Sequence, residues 1–409
     1  MARELAIFLY LRLFSIIFKL VSLVPIQKKV VFVATFPENN SYIYKEMKRQ
    51  ELSCRTVFLS TEKIKGHFNV FKEATVLVFT PRHFLQFIQS VYHLATAKVI
   101  VADNYYPFLA VAKFQPDVTC MQIWHANGAI KKFGLEDQSV SMRSKIAQER
   151  FKKVYGKFDQ VLVGSDSMAE IFQKAFGVPE ANIRRTGIPR TDLFFDESKK
   201  EYITHKLCSK YPFLRNKKVL LYAPTFRDEN LDTFELRINL DQLKQEFEDE
   251  YILLLKLHPA IKNGAMLSDN LKGFVYDFSD YPNVNDLLFV TDILITDYSS
   301  LPFEFSLLNK PMIFFPYDLT SYEKSRGFWE EYNKLVPGPV AFSTQEIIRS
   351  IKEKDFHLYK LHDFNEKWNK YSYGVSSENA VLSIIDSLSK TATEKVNINN
   401  KLEKKHQHF

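Results

Sequence analysis

Short apolar runs, rich in β-branched residues, recur along the chain between longer stretches of helix length. KVVFVATF (29–36), RTVFLS (55–60), TVLVFT (75–80), KVIVADN (98–104) and QVLVGS (160–165) are nearly continuous apolar segments. A run apolar on both faces reads as a strand buried inside a parallel sheet. Helix-like segments lie between them, around Phe84–Ala97 and Met142–Tyr155. After a polar, lysine-rich stretch at Glu197–Lys218 the alternation restarts. Its second set is KVLLYAPT (218–225), YILLLKLHP (251–259), GFVYDFS (273–279), DILITDYSS (292–300) and PMIFFPYD (311–318). This βαβ rhythm predicts an α/β protein of two Rossmann-like parallel-sheet domains, 26–196 and 197–388, facing a cleft. The segment Glu378–Leu388 would close the second domain or cross back to the first. Residues 389–409 are polar and charged, which predicts a disordered tail.

The first 25 residues follow another pattern. In ELAIFLYLRLFSIIFKLVSLV (4–24), Glu4, Arg12, Ser15, Lys19 and Ser22 fall within one narrow helical arc, and Leu, Ile, Phe and Val fill the rest. Pro25 then stops the helix. Such an amphipathic helix can lie in a membrane interface, cross the bilayer at a tilt, or dock on the protein itself; the interface is the expected place. No small-residue cleavage site follows it, so a removed signal peptide is not expected.

Composition narrows the function classes. With 46% hydrophobic and 25% charged residues, the chain can bury large cores. Its net charge of +7 suits an anionic partner such as a nucleotide diphosphate or an acidic lipid surface. No zinc-type cysteine cluster, RNP-like aromatic motif or long arginine tract is present, so no nucleic-acid partner is expected. Cys54, Cys120 and Cys208 are scattered without metal-ligand spacing and read as reduced packing residues of a cytosolic compartment. The basic stretch RSKIAQERFKK (143–153) is a solvated helix face, or a contact for anionic lipid or a lipid diphosphate.

Nearly every unusual polar residue stands just past a strand end, where open α/β sheets bind ligands. In YAPTFRD, Pro224 ends a strand and leaves Thr225 and Arg227 at the sheet edge. A guanidinium there can grip phosphate, or simply pair with Asp228. LLLKLHPAIK brings His258 to the end of the next strand, able to donate to a phosphate or leaving group. DILITDYSSLPFEF crowds Asp297, Ser299 and Ser300 into a strand-to-helix turn, an arrangement suited to an anion as well as to capping. In TGIPRTDLF, Arg190 either reaches the cleft or makes a hinge salt bridge. QIWHANGAIKKFG (122–134) sets His125 between the Trp124 ring and the small residues Ala126, Asn127 and Gly128. That histidine is a chemical group or the cap of a turn. A P-loop, a G-x-G-x-x-G fingerprint, an Asp-x-Asp pair and a zinc-ligand cluster are all missing from the sequence. The expected site is metal-free, without a cofactor, and built from His, Arg and Ser for an anionic donor.

Taken together, QIWHANGAIKKFG, TGIPRTDLF, LLYAPTFRD, LLLKLHPAI, DILITDYSSLPFEFSLLNKPMIFF and RGFWEEYNKLVPGP resemble the CDP-glycerol glycerophosphotransferases of Gram-positive teichoic acid synthesis. The resemblance runs in order over roughly residues 90–385, and it is nearest to members that add a first glycerol phosphate. It implies a GT-B-like fold, peripheral on the cytoplasmic face of the cell membrane, with other teichoic acid enzymes as possible neighbours. The implied donor is CDP-glycerol, and the implied acceptor is an undecaprenyl-diphosphate-linked disaccharide of N-acetylglucosamine and N-acetylmannosamine. One sn-glycerol 3-phosphate would pass to the N-acetylmannosamine, releasing CMP. His125 and His258 are the implied catalytic residues. Trp124, Asn127, Arg190, Thr225, Arg227, Asp297, Ser299 and Ser300 are the implied substrate contacts. Ala126 and Asn127 depart from the Gly-Thr of the chain-extending members, which would limit the enzyme to a single addition. The alternatives are a later glycerol- or ribitol-phosphate-adding enzyme or polymerase, and a nucleotide-sugar glycosyltransferase.

Overall fold

The computed structural model describes residues 2–227, 235–258, 261 and 267–390. Asp228, Pro259 and all but the first two residues of the expected tail lie outside them. The described chain forms two compact units, each built on one all-parallel sheet.

The first unit comprises Met1–His125, Phe133–Asp192 and Tyr371–Phe409. Its strands are β1 (Gln27–Ala34), β2 (Arg55–Ser60), β3 (Thr75–Val78), β4 (Ala97–Ala102), β5 (Thr119–Gln122), β6 (Gln160–Val163) and β7 (Ile183–Arg185). They lie in the order β3-β2-β1-β4-β5-β6-β7. Five of the seven were expected; β5 and β7 were not. TCMQ is short and half polar, and IRR is a three-residue edge strand, so neither carries an apolar run. Val30, Phe32 and Ala34 of β1 bury one face against Phe58, Val99, Val101 and Met121. Phe32 and Phe58 stack at 4.9 Å, and Phe58 stacks on Phe68 at 4.3 Å.

The second unit comprises Ala126–Lys132 and Leu193–Lys370. Its strands are β8 (Lys218–Ala223), β9 (Tyr251–Leu255), β10 (Val275–Asp277), β11 (Ile293–Thr296) and β12 (Met312–Phe314), in the order β10-β9-β8-β11-β12. Leu220, Tyr222, Leu253, Leu255, Ile293 and Ile295 fill its core. In both sheets the order reverses beside the first strand, between β1 and β4 and between β8 and β11. These are the two switch points at which sheets of this kind take ligands.

The division differs from the expected boundaries of 26–196 and 197–388 in two places. The C-terminal helix Ser376–Ser389 takes the crossing-back alternative, because Ala380, Val381 and Ile384 are wholly buried in the first core. The Asp192 carboxylate fixes its start by accepting from the Ser376 and Ser377 N–H groups at 2.8 and 2.7 Å. The segment Ala126–Lys132, in turn, belongs to the second unit. Asn127 is fully buried and donates to Asn369 Oδ1 at 2.6 Å, and the Asn369 amide donates to the Phe303 carbonyl at 2.8 Å. Ile130 accepts from Trp329 N, Lys132 N donates to Gly327 O, and Lys131 bridges Phe328.

The N-terminal helix Ala2–Val21 packs on the first unit through Phe14 and Phe18, both buried. Phe14 lies 5.1 Å from Phe108, and Phe18 lies 5.6 Å from Phe114. The helix therefore docks on the protein and still leaves Leu5, Phe8, Leu9, Ile16 and Leu20 exposed. Among the described residues, no helix is long and apolar enough to cross a membrane.

Gly128 marks how tightly the inserted segment is seated, since a Cβ there would run into the Phe303 ring. Gly128→Ala should destabilise the protein by about 1–3 kcal/mol, the usual cost of overpacking a filled site. Urea unfolding monitored by tryptophan fluorescence would measure it, and unchanged stability would show that the ring yields.

Candidate active site

The first cluster forms where β1, β4 and β5 end side by side. Asp103, directly after β4, is 1% exposed and carries more hydrogen bonds than any exposed carboxylate needs. Its oxygens accept from Thr35 N (2.8 Å), Phe36 N (2.8 Å), Asn40 Nδ2 (2.9 Å) and Tyr106 Oη (2.5 Å). Burial nevertheless pushes its carboxyl up to about 6, with those bonds pulling the other way. The effect is to lock the turn after β1 onto the turn after β4.

His125 rests on this platform. Its Nδ1 lies 3.1 Å from the Asp103 carbonyl oxygen, and its ring stacks on Phe36 at 4.3 Å and 17°. A carbonyl can only accept, so this contact places the proton on Nδ1 and leaves the Nε2 lone pair open. Burial pushes the imidazole down to about 4; the carbonyl contact opposes this, and the Arg190 charge adds to it. The ring is thus neutral at physiological pH. Below the ordinary value near 6.5 the unfolded chain takes up a proton that the folded ring refuses. Stability contributed by the neutral ring is therefore lost as pH falls toward 4.

Trp124, just before it, adopts φ 49°, a left-handed backbone that a bulky residue avoids. The strain costs on the order of 1–3 kcal/mol and must be held by its surroundings. Trp124 N donates to Gln122 Oε1 at 2.8 Å, and its carbonyl accepts from Asn39 Nδ2 at 3.1 Å. Its ring stacks on Phe133 at 4.9 Å and meets Phe172 and Phe176 edge-on. Asn39 Oδ1 also accepts from Arg190 N at 3.0 Å, while Arg190 Nη1 donates to the His125 carbonyl at 2.7 Å. Trp124 and Arg190, both half-buried, thus pack into the support of His125.

The second cluster forms where β8, β9 and β11 end. Arg227 uses all five of its N–H groups on the protein. Nε and Nη2 donate to the two oxygens of Asp318 at 2.7 and 2.9 Å, and Nη2 also donates to Asp297 at 3.0 Å. Nη1 donates to the carbonyl and hydroxyl oxygens of Thr225, both at 2.8 Å. Tyr298, Tyr317 and Tyr322 surround the guanidinium with ring centres 4.6–5.1 Å away. This arginine joins two carboxylates, Asp297 and Asp318, while the other expected partner, Asp228, lies outside the described residues. Asp297, 2% exposed, accepts from Thr225 N, Tyr298 N and Arg227, and its pKa is raised by burial against the pull of Arg227. Its carboxylate is committed to the loop, not to a donor.

The groups left facing outward are fewer. His258 is exposed, its ring 4.4 Å from Phe226. Ser299 and Ser300 are half-buried; Ser299 Oγ accepts from Leu301 N, and Ser300 makes no side-chain cap. Thr225 gives its N–H to Asp297. Asn127 is corrected outright: it is sealed inside the second unit and touches no open surface. Asp103, Asn39, Asn40, Tyr106, Phe36 and Asp318 were not singled out from the sequence. The one available signal was their place, since PENN and DNYY follow apolar strands just as the chosen motifs do.

Arg227→Ala would leave Asp297 buried without its countercharge. The variant should lose about 3–5 kcal/mol in chemical denaturation, as broken buried pairs do. Arg227→Lys should recover only part, because an ammonium cannot span both carboxylates. A wild-type midpoint for the alanine variant would refute the bridging role.

Comparison with known proteins places these clusters in context. The chain is 38% identical to the teichoic acid glycerol-phosphate primase of Bacillus subtilis (strain 168), over 88% of this chain and 92% of that protein. It is 36% identical to the primase of the same name from Bacillus spizizenii, over 91% and 96%. In fold it is similar to the wall teichoic acid polymerase TagF, with a TM-score of 0.77 at 24% identity, covering 97% of this chain and 99% of that one. The family model for CDP-glycerol:poly(glycerophosphate) glycerophosphotransferase matches residues 16–386, and the chain belongs to that family.

Proposed function

We propose that this enzyme is a glycerol-phosphate primase of teichoic acid synthesis. It transfers one sn-glycerol 3-phosphate from CDP-glycerol to the N-acetylmannosamine of an undecaprenyl-diphosphate-linked disaccharide. Similarity to two primases over 92% and 96% of their length supports the primase reading, and the CDPG soak named for a TagF structure supports the donor. The observation that carries the chemistry is the His125 Nδ1 set 3.1 Å from the Asp103 carbonyl oxygen, a contact that leaves the Nε2 lone pair free.

In this reading Nε2 of His125 takes the proton of the acceptor hydroxyl as its oxygen bonds to the glycerol-bearing phosphorus. The bond from that phosphorus to the bridging oxygen breaks, and CMP leaves with the electron pair. General-base help of this kind is worth roughly 10²–10⁴-fold. The Asp103 carbonyl then faces the Nδ1–H of an imidazolium and favours it, so the platform that sets the tautomer also accepts the charge. His258, Ser299 and Ser300 of the second unit, none of them fully buried, offer polar atoms for the diphosphate and the departing CMP. Arg227, Asp297 and Asp318 hold the Thr225 and Tyr298 backbone in place and act through it. The single-addition limit does not rest on Asn127, whose side chain is buried. The outward Leu5, Leu9, Ile16 and Leu20 suit peripheral attachment at the cytoplasmic membrane face.

His125→Ala should reduce transfer by at least about 10²-fold while CDP-glycerol binding, measured by calorimetry, stays within a few-fold. A large loss of donor affinity would move His125 to a binding role. With wild-type enzyme and a lipid-linked disaccharide analogue, mass spectrometry should show one added glycerol phosphate. A ladder of additions would identify a polymerase.

A further inference from the structure

The apolar helix Ala2–Val21 and the basic helix Lys145–Tyr155 were read separately from the sequence, yet both border one groove of the first unit. The groove holds about 740 Å³, within the range of small-molecule and cofactor sites. Leu5, Phe8, Leu11, Val111 and Ile146 make it predominantly apolar. Lys145 and Lys153 line it together with the single carboxylate of Glu149, and Arg150 crosses it to pair with Glu4 at 3.2 Å, which leaves the rim net positive. Leu5, Phe8 and Ile146 remain 58%, 52% and 76% exposed, a cost in water that an apolar occupant would remove.

An apolar floor with a cationic rim fits an amphiphile whose apolar chain ends in a phosphate or diphosphate. The groove is also tied to the support of His125. The chain that walls it at Ala110 and Val111 runs on from Asp103 through Tyr105 and Tyr106. Tyr105 stacks on Phe151 at 4.4 Å and bonds Arg150, so the basic helix and the Asp103 turn form one packed piece. A bilayer phospholipid could sit anywhere on the outer apolar face. A groove built onto the histidine platform suits the molecule whose hydroxyl that histidine must reach.

We propose that this groove binds the lipid diphosphate of the acceptor. Its apolar segment next to the diphosphate lies between the two helices, and the diphosphate is met by Lys145 and Lys153. This rests on the reading of a lipid-linked acceptor given above.

The test uses the full chain with farnesyl diphosphate, a soluble prenyl diphosphate, as the probe. Lys145→Glu/Lys153→Glu and Ile146→Glu change exposed side chains, and circular dichroism would confirm that both variants fold. Each should weaken farnesyl diphosphate binding about tenfold or more by calorimetry. The same variants should raise KM for a lipid-linked acceptor, leaving kcat and the KM for CDP-glycerol within twofold of wild type. Unchanged farnesyl diphosphate affinity in both variants overturns the proposal. Loss of binding to phosphatidylglycerol vesicles with farnesyl diphosphate affinity intact also overturns it, and assigns the groove to bilayer lipid. If wild-type enzyme binds farnesyl diphosphate but transfers nothing to a lipid-linked acceptor, the functional reading fails separately.

Discussion

A buried carboxylate that serves backbone rather than substrate sets the geometry of the first unit. Asp103 collects the N–H groups of Thr35 and Phe36, the Asn40 amide and the Tyr106 hydroxyl, so the turns after β1 and β4 become one rigid platform. The same residue offers its carbonyl to His125, and Phe36, held by its carboxylate, offers a ring to stack on. The tautomer and ring plane of the histidine descend from that residue, while its neutral charge comes from burial. A strained Trp124, pinned by three phenylalanine rings and by Asn39, keeps the next link from relaxing away.

The second unit solves a similar problem with opposite chemistry. There a cation, Arg227, is enclosed by two aspartates and three tyrosines, and its bonds to Thr225 and Asp297 join the turns after β8 and β11. Both devices stand at the place where strand order reverses, the point at which neighbouring turns diverge and a crevice opens. Each costs buried charge, and each returns a fixed turn: beside the half-buried His125 in one unit, and beside the exposed His258 and half-buried Ser299 in the other. Catalysis by alignment and charge stabilisation, as phosphoryl transfer requires, depends on such preorganised loops.

Much of this was legible in the sequence, for physical reasons that also explain the failures. Strands buried on both faces must be apolar throughout, so ten runs announced themselves, whereas TCMQ and IRR gave no pattern to see. Strand-end position found His125, Arg227 and Asp297 correctly as residents of the sheet edges. What it could not give was their partners. Arg227 reads as a phosphate grip or a partner of Asp228 because Asp318 lies 91 positions later, and Asn127 reads as a substrate contact because Asn369 lies 242 positions later. A polar residue in a loop motif reads as a ligand contact until the fold supplies its mate. Asp103 was passed over for the converse reason: its role is to hold backbone, and backbone partners leave no mark on composition. The N-terminal helix showed its amphipathic arc, but its buried Phe14 and Phe18 could not be told from its exposed Leu9 and Leu20.

The proposed role of His125 as a neutral base depends on the Asp103 carbonyl holding the Nδ1 proton and leaving Nε2 unprotonated. Nitrogen-15 NMR of the labelled imidazole side chains, titrated with pH, tests it most directly. His125 is expected to show the Nδ1–H tautomer and to stay neutral down to about pH 4. An Nε2–H tautomer, or protonation centred on the ordinary histidine value near 6.5, would contradict it.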